Sequence, residues 1–183
     1  MNSISQTWGT TAEERELSFG CDKLIRQPDQ ALWRGITINA APKIVFRWLC
    51  QMRVAPYSYD WLDNGGRQSP RELTAGLDDL ARGQTVMRIF DLVDFTKDQH
   101  LTIRLKPHRP SAKMFGDIAV SYTLTPISPE SCRLVVKLAG KYPAGPWGKL
   151  MRVVLPWGEL VMMRRQLLNF KRLAELMEKR TCG

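Results

Sequence analysis

Histidine is almost missing from this chain, with two residues, His100 and His108, in 183. Neither has a Cys, His or paired carboxylate at ligand spacing, so no metal site is expected and no histidine-based triad can be assembled. Cysteine is nearly as scarce. Cys21, Cys50, Cys132 and Cys182 are widely scattered and form no CxxC pair. The opening MNSISQTWGTTAEERE lacks the basic-then-apolar pattern of a secretion signal, so the expectation is reduced thiols in a cytoplasmic protein. No apolar run approaches the roughly 18 residues of a membrane-spanning helix, and no integral membrane segment is expected. A glycine-rich phosphate loop is also missing, and nothing in the chain calls for a cofactor.

Acids are in deficit as well, 18 against 27 bases, for a net charge of +9. The bases are scattered and not interleaved with aromatics, so nucleic acid is not an expected partner. Their densest cluster is on the back of the last helix. It reads as a solvated face, with attraction to an acidic partner or membrane surface as the alternative. The length suits one domain with a full-sized core, or one domain plus a tail.

What is present is organised around Pro146–Arg180. Trp157, Leu160, Met163, Leu167, Phe170, Ala174 and Met177 recur at helical spacing, with Arg165, Arg172 and Lys179 nearly opposite. The prediction is a long amphipathic helix with a dry face and a basic back. Pro156 either kinks it or begins its longer part.

Residues 1–30 are polar and irregular and read as an arm draped over the domain, with Thr10 or Thr11 capping a short turn. The domain proper is placed at 31–183. Leu32–Asn39 alternates as a first strand, with Leu32, Arg34, Ile36 and Ile38 on one side. AAPKIVFRWLCQM and YSYDWLDN follow as two helices, the second closed by Gly65 and Gly66. Residues 67–84 read as a long polar connection with a helical turn at Arg71–Leu73, or with a short strand hidden in it. Four strands are then predicted, Thr85–Val93, Gln99–Lys106, Gly116–Pro126 and Ser131–Tyr142; TKD and PISPE are turn-like links that suit antiparallel neighbours, and KPHRPSAKMF is a longer one. A bent antiparallel sheet wrapped around the final helix buries one face of each and often leaves a cavity between them.

The phrases ITINAAPKIVFRWLCQM, PYSYDWLDNGGR, FGDIAVSYTLTP and LPWGELVMMRRQLLNFKRLAE, in that order, resemble the helix-grip superfamily. This group (SRPBCC) includes START-related lipid-transfer domains, polyketide cyclases and plant hormone-binding proteins. The resemblance covers roughly Leu32–Glu178, and WGTTAEE and GCD look like the lead-in of one bacterial branch. It implies an α+β helix-grip (START-like) fold. The activities it implies range from apolar-ligand carriage to polyketide cyclase or dehydratase chemistry. The predicted in-facing strand positions are mostly aliphatic, where cyclases are expected to place polar groups.

Several residues are candidates for a site. YSYDWLDN sets Tyr57, Asp60, Trp61 and Asn64 on one side of a short helix. Asp60, an acid among aromatics, is a candidate general base, or an ion-pair partner or backbone cap. Arg34 lies among apolar partners by strand parity, and Arg88 is on the one strand with charge on both faces. Either could meet Asp60 at a cavity mouth. Tyr122 offers a hydroxyl inside an apolar chamber to orient a ligand carbonyl, or fills space with its hydroxyl on backbone. Trp147, Trp157, Met151, Met162 and Met163 read as core that can also line an adaptable cavity. Glu159 is solvent-facing or a second polar contact.

The predicted ligand contacts are therefore Arg34, Tyr57, Asp60, Trp61, Arg88, Tyr122, Trp157 and Met163, around a small hydrophobic or lipid-like ligand. An enzyme using Asp60, and a module docking through the last helix, are the alternatives. Oligomeric state stays open.

Overall fold

The computed structural model describes residues 3–63 and 65–182. Three short helices lead in: α1 (Ile4–Thr7), α2 (Ala12–Glu16) and α3 (Gly20–Leu24). Thr11 caps α2 through a reciprocal box with Glu14, which satisfies two otherwise orphaned amides. After them come β1 (Gln30–Ile38), α4 (Pro42–Cys50), a 3-10 turn at Gln51–Arg53 and α5 (Asp60–Asp63). The strands β2 (Thr85–Val86), β3 (Phe90–Thr96) and β4 (His100–Leu105) follow. The chain continues through α6 (Pro110–Phe115), β5 (Asp117–Ser128), β6 (Ser131–Lys141) and α7 (Pro146–Cys182).

The strands form one six-stranded antiparallel sheet in the order β1-β6-β5-β4-β3-β2. Register puts Leu32, Arg34 and Ile36 of β1 opposite Leu138, Val136 and Leu134 of β6, and Val136 opposite Tyr122 of β5. Because strand side chains alternate, these residues share the face that meets α7. Met163, Leu167, Phe170 and Ala174 of α7 are buried in one cluster with them. This is the helix-grip arrangement expected from the order of elements.

The opposite face is not left to solvent. Phe19, Cys21 and Ile25, from α3 and the residue on either side of it, pack on Ala119, Val135 and Ala139. The Cys21 amide donates to Ser121 Oγ at 2.8 Å. Gly9 adopts φ +73°, and a Cβ there would overlap the Gly35 carbonyl oxygen, so the arm closes on β1 through two glycines.

Two local expectations need correction. The predicted strand Thr85–Val93 is a tight hairpin: Val86 pairs with Phe90, and Met87 and Arg88 take left-handed φ of 46° and 63°. The Met87 amide donates to the Met52 carbonyl at 2.9 Å, which holds the turn against the 3-10 segment. Residues 67–84 contain no strand and no helical turn; the sixth strand comes from that hairpin. This connection is pinned instead by Gln51, which exchanges hydrogen bonds with the Thr74 backbone, and by Arg53, which donates to the carbonyls of Gly76, Leu77 and Asp79. The long link after β4 contains α6, opened by Pro110 and closed by Gly116, the usual proline-start and glycine-stop pairing.

Helix α7 runs unbroken through Pro156. Proline has no amide hydrogen, so the Arg152 carbonyl loses its helical donor. Gln30 Nε2 replaces it at 3.3 Å.

Candidate functional site

Between β1, β6 and the first half of α7 lies a narrow cleft lined by Leu32, Arg34, Val136, Leu138, Glu159 and Met163. No part of it is wide enough to seat a water molecule. Pockets for drug-sized ligands run to about 300–1,000 Å³, so a ligand here would have to part the helix from the sheet.

Arg34 is 2 % exposed. Strand alternation drives it inward, and its guanidinium is satisfied by main-chain oxygens. Nη1 donates to Trp33 O at 2.8 Å, and Nη2 donates to Ser5 O at 2.8 Å and Pro156 O at 3.2 Å. Its Nε has no hydrogen-bond partner among the described residues. Burial lowers the Arg34 pKa to about 10, against the opposing pull of Glu159. Burial likewise raises the Glu159 carboxyl above the usual range, with Arg34 working the other way. No ion pair within 4.0 Å joins Arg34 to a carboxylate among the described residues. The cleft thus has aliphatic walls and one ionisable group of each sign.

The Tyr122 hydroxyl donates to Gln166 Oε1 at 2.9 Å, and Gln166 Nε2 donates to Pro56 O at 2.6 Å. The thioethers of Met163, Met52 and Met87 lie 3.6–3.8 Å from these donors. Tyr122 is therefore bound into a closed polar chain within the core, and burial raises its pKa far above the usual phenol value. Gln166 was not singled out from the sequence. A signal existed, since it falls three residues after Met163 and four before Phe170, on the dry stripe.

The remaining candidates disperse. Tyr57 sits in the core at φ 58°, edge-on to Trp48 with ring centroids 6.1 Å apart, and 5.4 Å from Phe170. Asn169 Nδ2 donates to its carbonyl at 2.7 Å. Its own hydroxyl has no partner among the described residues, and burial, aided by Asp60, pushes its pKa up to about 12. Both Asp60 oxygens accept from Ser69, Oδ2 from the amide at 2.8 Å and Oδ1 from the hydroxyl at 2.5 Å. Asp60 thus fastens α5 to the long connection, and neither Arg34 nor Arg88 forms an ion pair with it among the described residues. Arg88 is exposed on the hairpin turn. Trp61 is 73 % exposed, and Asn64 lies outside the described residues.

Met163 is buried in the cleft wall, whereas Trp157 is 53 % exposed. The predicted stripe stepped from Trp157 by two successive gaps of three. Each gap falls about 60° short of a full turn, so Trp157 ends about 120° from Met163. Trp147, also read as core, is 44 % exposed, with Nε1 donating to Met114 O at 2.8 Å.

Among the described residues no cluster of three or more His, Cys, Asp or Glu is placed to hold a metal, and no helix is long and apolar enough to cross a membrane.

No family model matches the chain, and no curated protein is significantly similar to it in sequence. Solved structures share its fold. A hypothetical protein of Helicobacter pylori aligns over 92 % of this chain and 99 % of its own, with 11 % identity and a TM-score of 0.57. A Chromobacterium violaceum protein aligns over 79 % and 96 %, at 16 % identity and a TM-score of 0.50. An Arthrobacter aurescens protein covers 79 % and 85 %, at 12 % identity and the same TM-score. The shared architecture is the helix-grip fold.

Proposed function

We propose that this helix-grip chain binds a small apolar ligand with an anionic or hydrogen-bond-accepting end, in the cleft between β1, β6 and α7. The observation that supports it is a buried guanidinium, Arg34, set in an aliphatic wall with its Nε unpartnered among the described residues. Apolar burial supplies the affinity, at roughly 25 cal/mol per Å² of ligand surface, and Arg34 fixes which end points inward. The cleft is closed, so the ligand enters by displacing the first half of α7, and association is slow compared with an open pocket.

Dodecanoate and dodecanol have equal tails and different heads. Titration calorimetry is expected to show dodecanoate bound more tightly, with Arg34→Met weakening it by about tenfold and leaving dodecanol little changed. Leu138→Phe, which narrows the cleft, should weaken both. Circular dichroism confirms that each variant is folded. Absence of binding to either ligand, together with nothing retained from a mixed lipid extract in native mass spectrometry, overturns the proposal.

A further inference from the structure

The outward face of α7 has a second pattern that the cleft does not use. Trp147, Leu150, Val154, Trp157 and Val161 follow at steps of three, four, three and four, one helical stripe, and all five are exposed. Val153, at 66 % exposed, widens it. Monomeric soluble domains scatter exposed apolar residues singly; a contiguous stripe bearing two tryptophans marks a contact surface. By helical angle the stripe is continued by Arg165, Arg172 and Lys179, so one face is apolar in its first half and basic in its second.

Of the three acids of α7, only Glu175 shares the surface of Arg172 and Lys179, and Lys171 neutralises it at 2.6 Å. Glu159 lines the cleft, Glu175 accepts from the Asn39 amide, and Glu178 accepts from the Ala41 amide. Lys149, Arg164 and Arg165 flank the apolar half, and all three are exposed. Arg165 also lies 6.0 Å from the Tyr59 ring, which holds the segment bearing exposed Trp61 beside the helix.

We infer that this face of α7 docks on an anionic lipid bilayer. Exposed tryptophans suit the interfacial zone, where the ring lies between acyl chains and headgroups. The basic flank adds attraction to acidic headgroups. A helix with a strongly basic polar side and Trp among its apolar residues lies in the plane of the interface. A second copy of this chain would bring the same cations against each other, with a net +9 on each partner. The inference does not depend on what the cleft binds.

The test is flotation of the full chain with vesicles of phosphatidylcholine alone and of phosphatidylcholine with phosphatidylglycerol at about three to one. Binding to the acidic vesicles only, reduced severalfold as ionic strength rises from about 0.05 to about 0.5 M, is expected. Val154→Glu with Trp157→Gln should reduce it by tenfold or more, and Lys149→Glu with Arg165→Glu should do so while keeping the apolar stripe. All four positions are exposed, so both variants should keep the wild-type circular dichroism spectrum. No flotation at low salt, equal flotation with neutral vesicles, or flotation unchanged in both variants overturns the proposal. So does a wild-type dimer in gel filtration that Val154→Glu with Trp157→Gln converts to monomer, since the stripe then belongs to a second copy.

Discussion

Arg34 Nη2 lies 3.2 Å from the carbonyl oxygen of Pro156, so a strand residue holds the final helix at its one interior proline. The same nitrogen reaches Ser5 O, which ties the N-terminal arm into the junction. Arg34→Ala removes a donor from the Trp33, Ser5 and Pro156 carbonyls and leaves a void behind. We expect a loss of about 3 kcal/mol or more in urea unfolding. A loss below about 1 kcal/mol would mean that the junction is held by packing alone.

Glu159 sets a pH dependence. Its carboxyl is raised above the ordinary 4.5, chiefly by burial, and Arg34 lowers it only in part. Between the two values the folded chain binds more protons than the unfolded chain, so stability falls as pH rises through that window. Glu159→Gln should therefore raise the melting temperature at pH 7, and the gain should disappear below pH 4.5. An advantage of the same size at both ends of the range would show that the carboxyl is not shifted.

Tyr122 and Gln166 should behave as a coupled pair. Tyr122→Phe removes the donor to Gln166 Oε1 and should cost about 1–2 kcal/mol. Gln166→Leu orphans both the phenol and Pro56 O and should cost more. A double-mutant cycle is expected to return a coupling energy of about 1 kcal/mol. Additive losses would disprove the pairing.

Arg88 occupies a left-handed backbone position on an exposed turn. Arg88→Gly relieves that conformation and should stabilise the chain, or cost little, within about 1 kcal/mol either way. Dodecanoate affinity is expected to be unchanged. A clear drop would place Arg88 at the ligand.

The fold was legible because the strands after residue 100 alternate cleanly and the C-terminal periodicity is long, so parity put Arg34 and Tyr122 on the inner face from sequence alone. Legibility failed where main-chain conformation, not pattern, decides. Met87 and Arg88 look like strand residues, and only the Met52 carbonyl waiting for the Met87 amide makes a hairpin there. Trp157 failed for a different reason. Periodicity fixes that a stripe exists, but two short steps rotate its first member out of the core, where a tryptophan is expected to be. That Glu159 and Arg34 line one cleft required knowing that Pro156 rests on β1, a relation between residues 122 positions apart.

Gln30 has one further consequence. Its side chain lends a donor to the carbonyl that proline leaves idle, while its own oxygen is held by the Tyr142 hydroxyl at 2.7 Å. At that point the ladder of the terminal helix has a rung borrowed from a neighbouring strand. Gln30→Leu would leave that carbonyl without its substitute donor, so the turn at Pro156 is where α7 should lose protection first in hydrogen exchange.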